Sequence, residues 1–265
     1  MFDILAGKRG LIMGVANDHS IAWGISKTLA SAGADLAFSY QGETIGKRLQ
    51  PLAAELGFDF IIPCDVDNPD SIDLLFERIK ERWNYMDFIV HSIAFSDKNE
   101  LKGPYADTSR ENFSRTMLIS CFSFTEIAKR AAKMMPNGGS MLTLTYGGSR
   151  KVVPNYNVMG IAKAALEASV VYLAADFGSH NIRVNAISAG PVRTLAGASI
   201  SNGRGISSWS KEVSPLRRSV SLNDIGNSAV YLLSNLSDGV TGSILYVDCG
   251  YNIMSMPKYT MKTNN

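Results

Sequence analysis

The chain is poor in the residues that staple or metallate a fold. Its three cysteines, Cys64, Cys121 and Cys249, lie far apart with no CxxC spacing. That spacing argues against a zinc ribbon or a disulfide framework and suits a reducing compartment. His19, His91 and His180 are scattered singletons, so no metal site is expected. Neither sign of charge dominates: 26 Lys and Arg face 24 Asp and Glu, a net charge of +2. The basic residues are dispersed, so no nucleic-acid footprint is visible. No apolar run reaches the roughly 18 residues that span a bilayer. The N-terminus shows no basic segment followed by an apolar stretch, as a secretory leader would. The expectation is a cytoplasmic protein with no membrane partner.

What is present is a globular core and a regular alternation. With 265 residues, 46% of them hydrophobic, the chain can bury one large core. Strand-like runs stand at 9–13 (RGLIM), 35–40 (DLAFSY), 58–63, 87–91 (DFIVH), 140–144 (SMLTL), 182–187 (IRVNAI) and 244–247. Helical spacing fills 21–32, 43–56, 70–83, 109–135, 157–178 and 222–235. Ser20 stands at an N-cap position and Gly33 at a C-cap position. Such alternation predicts an α/β fold: a single-domain, Rossmann-type, doubly wound parallel sheet of seven strands with helices on both faces. One domain would occupy 1–265. A mobile substrate lid is expected over about 194–210, within the Gly/Ser-rich stretch after strand six, and a C-terminal tail over about 251–265.

Ligands of open parallel sheets bind beyond the carboxyl ends of the strands. After strand one comes Gly14, where the backbone can approach a ligand, followed by a helix whose N-terminus would face a pyrophosphate. The sequence there lacks the strict GxGxxG fingerprint, and a simple tight turn is the alternative. After strand three, the carboxylate of Asp65, beside Val66, would accept from an adenine amine or else merely cap a turn. Ser92 to Phe95 follow strand four, near a cofactor ribose. Strand five is followed by Tyr156 and, seven residues on, Lys163. A lysine beside a phenol and a ribose would lower the tyrosine pKa and favour proton donation or oxyanion stabilisation. A core tyrosine with a snorkelling lysine is the alternative. Strand two ends at Tyr40 and Gln41 with no cation to meet a 2′-phosphate. Lys47 and Arg48 lie on the next helix and Glu43 lies closer, so NADH is expected over NADPH.

The sequence resembles the short-chain dehydrogenase/reductase superfamily, and within it the bacterial NADH-dependent enoyl-[acyl-carrier-protein] reductases. The resemblance runs from about Leu5 to Met256. It rests on GVANDHSIAWG from Gly14, CDV at 64–66, HSIAF at 91–95, LTLTYGG at 142–148, PNYNVMGIAKAALEASV at 154–170 and VNAISAGPVRTLA at 184–196. Ordinary superfamily members place tyrosine four residues before lysine, where this chain has Met159. Tyr156 at the longer spacing, with Tyr146 after strand five, resembles the enoyl reductase branch.

The resemblance implies reduction of the trans-2 double bond of an enoyl thioester on acyl carrier protein with NADH, in type II fatty acid elongation, by a homotetramer. Tyr146, Tyr156 and Lys163 would be catalytic. Gly14, Ser20, Ile21, Gln41, Asp65, Val66, Ile93, Lys163, Val192, Arg193, Thr194, Leu195 and Ala196 would hold the cofactor. Phe95, Ser96, Met159, Ala196 and Ile200 would line the acyl pocket. Ala94 replaces a glycine common in the family and should crowd the pocket by one methyl. Gly203 and Gly205 would loosen the lid. Arg204, with Lys211, Arg217 and Arg218, could meet an acidic carrier or simply be solvated. Two rival readings stay open: a carbonyl-reducing superfamily member such as a 3-oxoacyl reductase, and a non-catalytic dinucleotide sensor.

Overall fold

Apolar runs separated by polar, glycine-bearing turns fold into alternating layers. The computed structural model describes residues 3–192 and 203–255, with side chains from residue 208 onward in the second span. In chain order the elements are β1 (Arg9–Met13), α1 (Ile21–Ser31), β2 (Asp35–Tyr40), α2 (Gly42–Glu55), β3 (Ile61–Pro63), α3 (Pro69–Arg82), β4 (Phe88–His91), α4 (Arg110–Met117), α5 (Ser123–Ala132), β5 (Gly139–Thr145), α6 (Asn157–Gly178), β6 (Ile182–Ala189), α7 (Gly203–Val213), α8 (Leu222–Leu233) and β7 (Ile244–Val247). The strands pair in parallel in the order β3-β2-β1-β4-β5-β6-β7. The direction of winding reverses between β1 and β4, so a crevice opens beyond Met13 and His91, where such sheets take ligands.

Strand alternation divides the core. Leu11, Met13 and Ala37 join residues of α3, α5 and α6 on one face, while Ile12, Leu36 and Phe38 join residues of α1, α2 and α8 on the other. Each strand is thus apolar on both sides, as a covered parallel sheet requires. Fully burying one such side chain stabilises by about 1.5–3 kcal/mol.

Several boundaries differ from the sequence reading. β3 begins at Ile61, because Phe60 contributes only its carbonyl, accepting from the Phe38 amide at 2.9 Å. The expected helix over 109–135 is interrupted by a π-helical turn at Leu118–Phe122, a departure that hydrophobic periodicity does not signal. Gly33 lies one residue past the Ala32 C-cap, at φ +92°, the left-handed position that favours glycine. Part of the expected lid is helical: Gly203 and Gly205 sit in α7. By length and composition alone α6 matches a membrane span, but Lys163, Glu167 and Asp176 interrupt its apolar run, as the sequence reading holds. It lies against the sheet, with Lys163 and Glu167 buried along it.

Candidate active site

β5 delivers one tyrosine and α6 the other. Tyr146 directly follows β5 and Tyr156 sits at the N-cap of α6. Their rings meet edge-to-face, centroids 5.3 Å apart at 75°, the arrangement aromatic quadrupoles favour. Two backbone features permit this. A Cβ on Gly148 would lie 2.5 Å from the Tyr156 ring. Asn155 and Asn157, flanking Tyr156, have φ of 60° and 38°. Asparagine tolerates that region better than most residues. Asn157 Nδ2 donates to the carbonyls of Glu100 and Gly103 at 3.3 and 3.1 Å, tying the loop before α4 to the start of α6.

The electrostatics correct one expectation. The Tyr156 hydroxyl is pushed well above the ordinary phenol range by burial, reinforced by Tyr146 and Glu167. Lys163 does not lower it. The lysine Nζ instead donates to the Leu144 carbonyl at 2.8 Å, and burial pulls the ammonium down to about 8 against the opposing pull of Cys121 and Glu167. Tyr146 is pushed up to about 12 by burial and by Tyr251. Both phenols are therefore neutral donors at any ordinary pH. His91 is fully buried and held neutral, down to about 3, by burial and then by the charge of Lys163. Its ring nitrogens contact Thr143 Oγ1 and Ser123 Oγ at 3.2 and 2.9 Å. It serves the core.

On the cofactor side, Gly14 has φ +96°, and a Cβ there would lie 2.0 Å from the Ser92 carbonyl. Its glycine is required by the neighbouring strand end, the Ser92 carbonyl leaving no room for a side chain. Ser20 stands at the N-cap of α1 without capping it. Its Oγ accepts from the amides of Ala16 and Asn17, each at 3.0 Å. The first amides of α1 are thus left without a side-chain cap, as an anion site requires. Gln41 Nε2 donates to Asp65 Oδ2 at 3.2 Å, while Asp65 Oδ1 accepts from the Asp67 amide at 3.0 Å. Asp65 thus makes the turn and also reaches the end of β2. Ile21, Val66, Ile93 and Val192 are partly buried against the core. Arg193, Thr194, Leu195, Ala196 and Ile200 lie outside the described residues.

On the acyl side, Met159 packs with Tyr156, and exposed Phe95 lies under the Arg115 guanidinium at 4.8 Å. Ser96 is bound into a buried network, donating to Asn112 Oδ1 at 3.3 Å and accepting from Thr116 at 3.0 Å. Ala94 is exposed. The sequence reading missed Leu101 and Val153, which pack with the tyrosine pair. Both are in irregular segments, where periodicity carries no signal. Of the basic residues, Arg218 is engaged by both oxygens of Asp224, at 2.5 and 3.1 Å. Arg217 donates to the Glu212 carbonyl, Lys211 is exposed, and the Arg204 side chain is outside the described set. Among the described residues, no cluster of His, Cys, Asp or Glu is arranged to hold a metal.

Comparison with known proteins agrees with this geometry. A family profile described as "Enoyl-(Acyl carrier protein) reductase" matches residues 14–252. Enoyl-[acyl-carrier-protein] reductase [NADH] 2 of Rhizobium meliloti is 70% identical over 257 residues, 97% of this chain and 96% of that protein. The crystal structure of FabI from Candidatus Liberibacter asiaticus superposes with a TM-score of 0.95 at 74% identity, covering 97% of this chain and 100% of the other. The enoyl reductase of Anaplasma phagocytophilum, solved in complex with NAD, gives a TM-score of 0.94 at 55% identity over 98% and 99% of the two chains.

Proposed function

The chain belongs to the enoyl-(acyl carrier protein) reductase family, and from that premise we propose which of its residues do the work. It reduces the trans-2 double bond of enoyl-[acyl-carrier-protein] thioesters with NADH, the reductive step of each type II fatty acid elongation cycle. The observation that carries the residue roles is the neutral, edge-on Tyr146–Tyr156 pair at the start of the helix that carries the buried Lys163.

The residues fit a dinucleotide. The uncapped amides of α1 suit a pyrophosphate. An ammonium carries three donors; the Leu144 carbonyl takes one from Lys163, and among the described residues no other group takes a second. Two donors suit the hydroxyls of a ribose. NADH, when bound, would supply the hydride that adds to the β-carbon of the enoyl group, and a proton drawn from solvent at the α-carbon completes the reduction. Tyr156 then acts at the thioester oxygen. As a neutral phenol it donates a hydrogen bond to the negative charge developing there, without first having to ionise. Tyr146 packs against the Tyr156 ring and fixes its direction. Lys163 holds the ribose and places positive charge behind the site. We assign Phe95, Ser96 and Met159 to the acyl pocket and Val192 to the cofactor; the family resemblance adds Ala196 and Ile200 to the first and Arg193, Thr194, Leu195 and Ala196 to the second, all outside the described residues. Reduction of crotonyl thioester with NADH carrying deuterium at the transferred position tests this. Deuterium should appear at the β-carbon of the saturated product, and its appearance at the α-carbon would contradict the scheme.

Cofactor choice follows from the end of β2. Asp65 reaches Gln41, so a carboxylate stands near where a 2′-phosphate would arrive. Lys47 lies 3.5 Å from Glu43 and is exposed, as is Arg48. An uncompensated like-charge contact costs several kcal/mol, so kcat/KM should favour NADH over NADPH by about 10²-fold. Steady-state comparison at low ionic strength checks this. Equal efficiency would overturn it, and loss of the NADPH activity in Arg48→Ala would identify the cation responsible.

The assembly proposed is a homotetramer of single-domain chains in the cytoplasm, acting on acyl carrier protein without a membrane. Its support is an apolar face. Ile161, Val171 and Tyr172 on α6 are exposed, as are Leu118 and Phe122 on the π-helical turn packed beside it, and such a face calls for a partner. Light scattering should give four times the chain mass; a monomer at micromolar concentration would contradict it.

A further inference from the structure

We infer that Glu167 is a positioning residue: its buried carboxylate clamps the turn that carries Tyr146 onto α6, the helix that carries Lys163 and begins at Tyr156. The inference rests on the proposed roles of those three residues. Glu167 lies four residues after Lys163 on α6 and is 6% exposed. One oxygen accepts from Thr145 Oγ1 at 2.8 Å and from Ser149 Oγ at 2.5 Å; the other accepts from Arg150 Nε at 3.1 Å. These donors bracket Tyr146, one residue before it and three and four after. The turn between is closed by the Ser149 amide donating to the Tyr146 carbonyl at 2.9 Å.

A carboxylate is a costly way to fill space. Burying it carries a desolvation penalty that an aliphatic side chain avoids. What it offers is acceptor capacity for three donors from one short turn. The Arg150 end is open to solvent, its side chain 61% exposed, and contributes little as an ion pair. The two hydroxyl bonds, shielded from water, fix the turn. Because Tyr146 meets Tyr156 edge-on, fixing the turn also fixes the phenol that faces the substrate.

The same charge reaches the reacting groups. Lys163 is faced by Glu167 along its own helix, by the Cys121 thiol from the π-helical turn and by neutral His91 from β4. Glu167 also raises Tyr156, as does Tyr146. Removing its charge should therefore move the lysine ionisation, near pH 8, to lower pH. Loss of packing alone would not do so.

The test measures kcat and KM with crotonyl thioester, together with NADH affinity by fluorescence, from pH 6 to 10 in wild type, Glu167→Gln, Glu167→Asp and Ser149→Ala. Thermal melting serves as the folding control. In Glu167→Gln one of the two acceptor oxygens becomes an NH2, so either Arg150 Nε loses its acceptor or the two hydroxyls lose their shared one. We expect kcat to fall about ten- to a hundred-fold, the scale of a small misplacement of a reacting group, with little change in KM for NADH at pH 6, where the lysine stays charged. The alkaline limb of NADH binding should move acid-ward. Glu167→Asp keeps the charge and loses reach, so kcat falls and the limb stays. Ser149→Ala, the mildest change, should lower kcat by about five-fold, the worth of one hydrogen bond. A folded Glu167→Gln with wild-type kcat and an unmoved limb overturns the inference. If that variant does not fold, wild-type kcat in Ser149→Ala overturns it. The limb is read from NADH binding without turnover. A wild type that binds NADH and reduces no enoyl thioester therefore contradicts the proposed function, while the clamp is still judged by the limb.

Discussion

Tyr156→Phe is expected to lower kcat for enoyl reduction by about 10²–10³-fold, the usual cost of removing one oxyanion donor, while leaving the NADH dissociation constant close to wild type. The phenyl ring keeps the edge contact with Tyr146 and its place beside Leu101, Val158 and Met159, so the pocket keeps its shape. What disappears is one O–H, needed only when charge gathers on the thioester oxygen. A defect confined to the chemical step lowers kcat and kcat/KM together. Because burial holds Tyr156 protonated, the wild-type rate should show no limb from its ionisation between pH 6 and 9. Steady-state kinetics with NADH fluorescence titration measures both quantities. Unchanged turnover would remove Tyr156 from the mechanism.

Lys163→Met should act on the other term, raising the NADH dissociation constant by about 10²-fold. Hydrogen bonds from a charged donor contribute about 1.5–3 kcal/mol each, and 1.4 kcal/mol is tenfold in affinity. Methionine is chosen because it nearly preserves the buried stem, whereas Lys163→Ala would add a cavity and confuse binding with packing. The sign of the pH dependence follows from burial. The ammonium, pulled down to about 8, is charged below that pH and neutral above it, so wild-type affinity for NADH should decline as pH rises through 8. The variant should lack that decline. An unaltered dissociation constant in Lys163→Met would reassign the lysine to the core.

The elements that the sequence reveals most fully are those whose pattern is local. β1, β2, β7 and α6 begin and end where the residues predict, because each is bounded by a turn residue or a change of period. α4 and α5 do not, since a π-helical turn inserts at Leu118–Phe122 without breaking the apolar pattern. α6 is apolar by composition, and the buried Lys163 and Glu167 within it mark it as a core helix packed on the sheet. The site divides in the same way. The proposed roles of Tyr156 and Lys163 are suggested by their spacing, whereas Tyr146, just after β5, enters only through the family resemblance. The direction in which the Tyr156 phenol is shifted is not legible, because spacing says nothing of burial, and burial is what raises it. Leu101, the Gln41–Asp65 contact and the Glu167 clamp join residues distant in sequence through tertiary packing. Only the folded chain reveals them.

The assignment turns on which bond this tyrosine and lysine serve, and one assay separates the choices: NADH absorbance followed with crotonyl thioester and, in parallel, with acetoacetyl thioester. With Met159 where a carbonyl-reducing relative would carry tyrosine, and Tyr156 set back beside Tyr146, NADH should be consumed with the crotonyl substrate and left unchanged with the acetoacetyl one. Oxidation of NADH by the acetoacetyl substrate with none by the crotonyl would contradict enoyl reduction and return the chain to the carbonyl reductases.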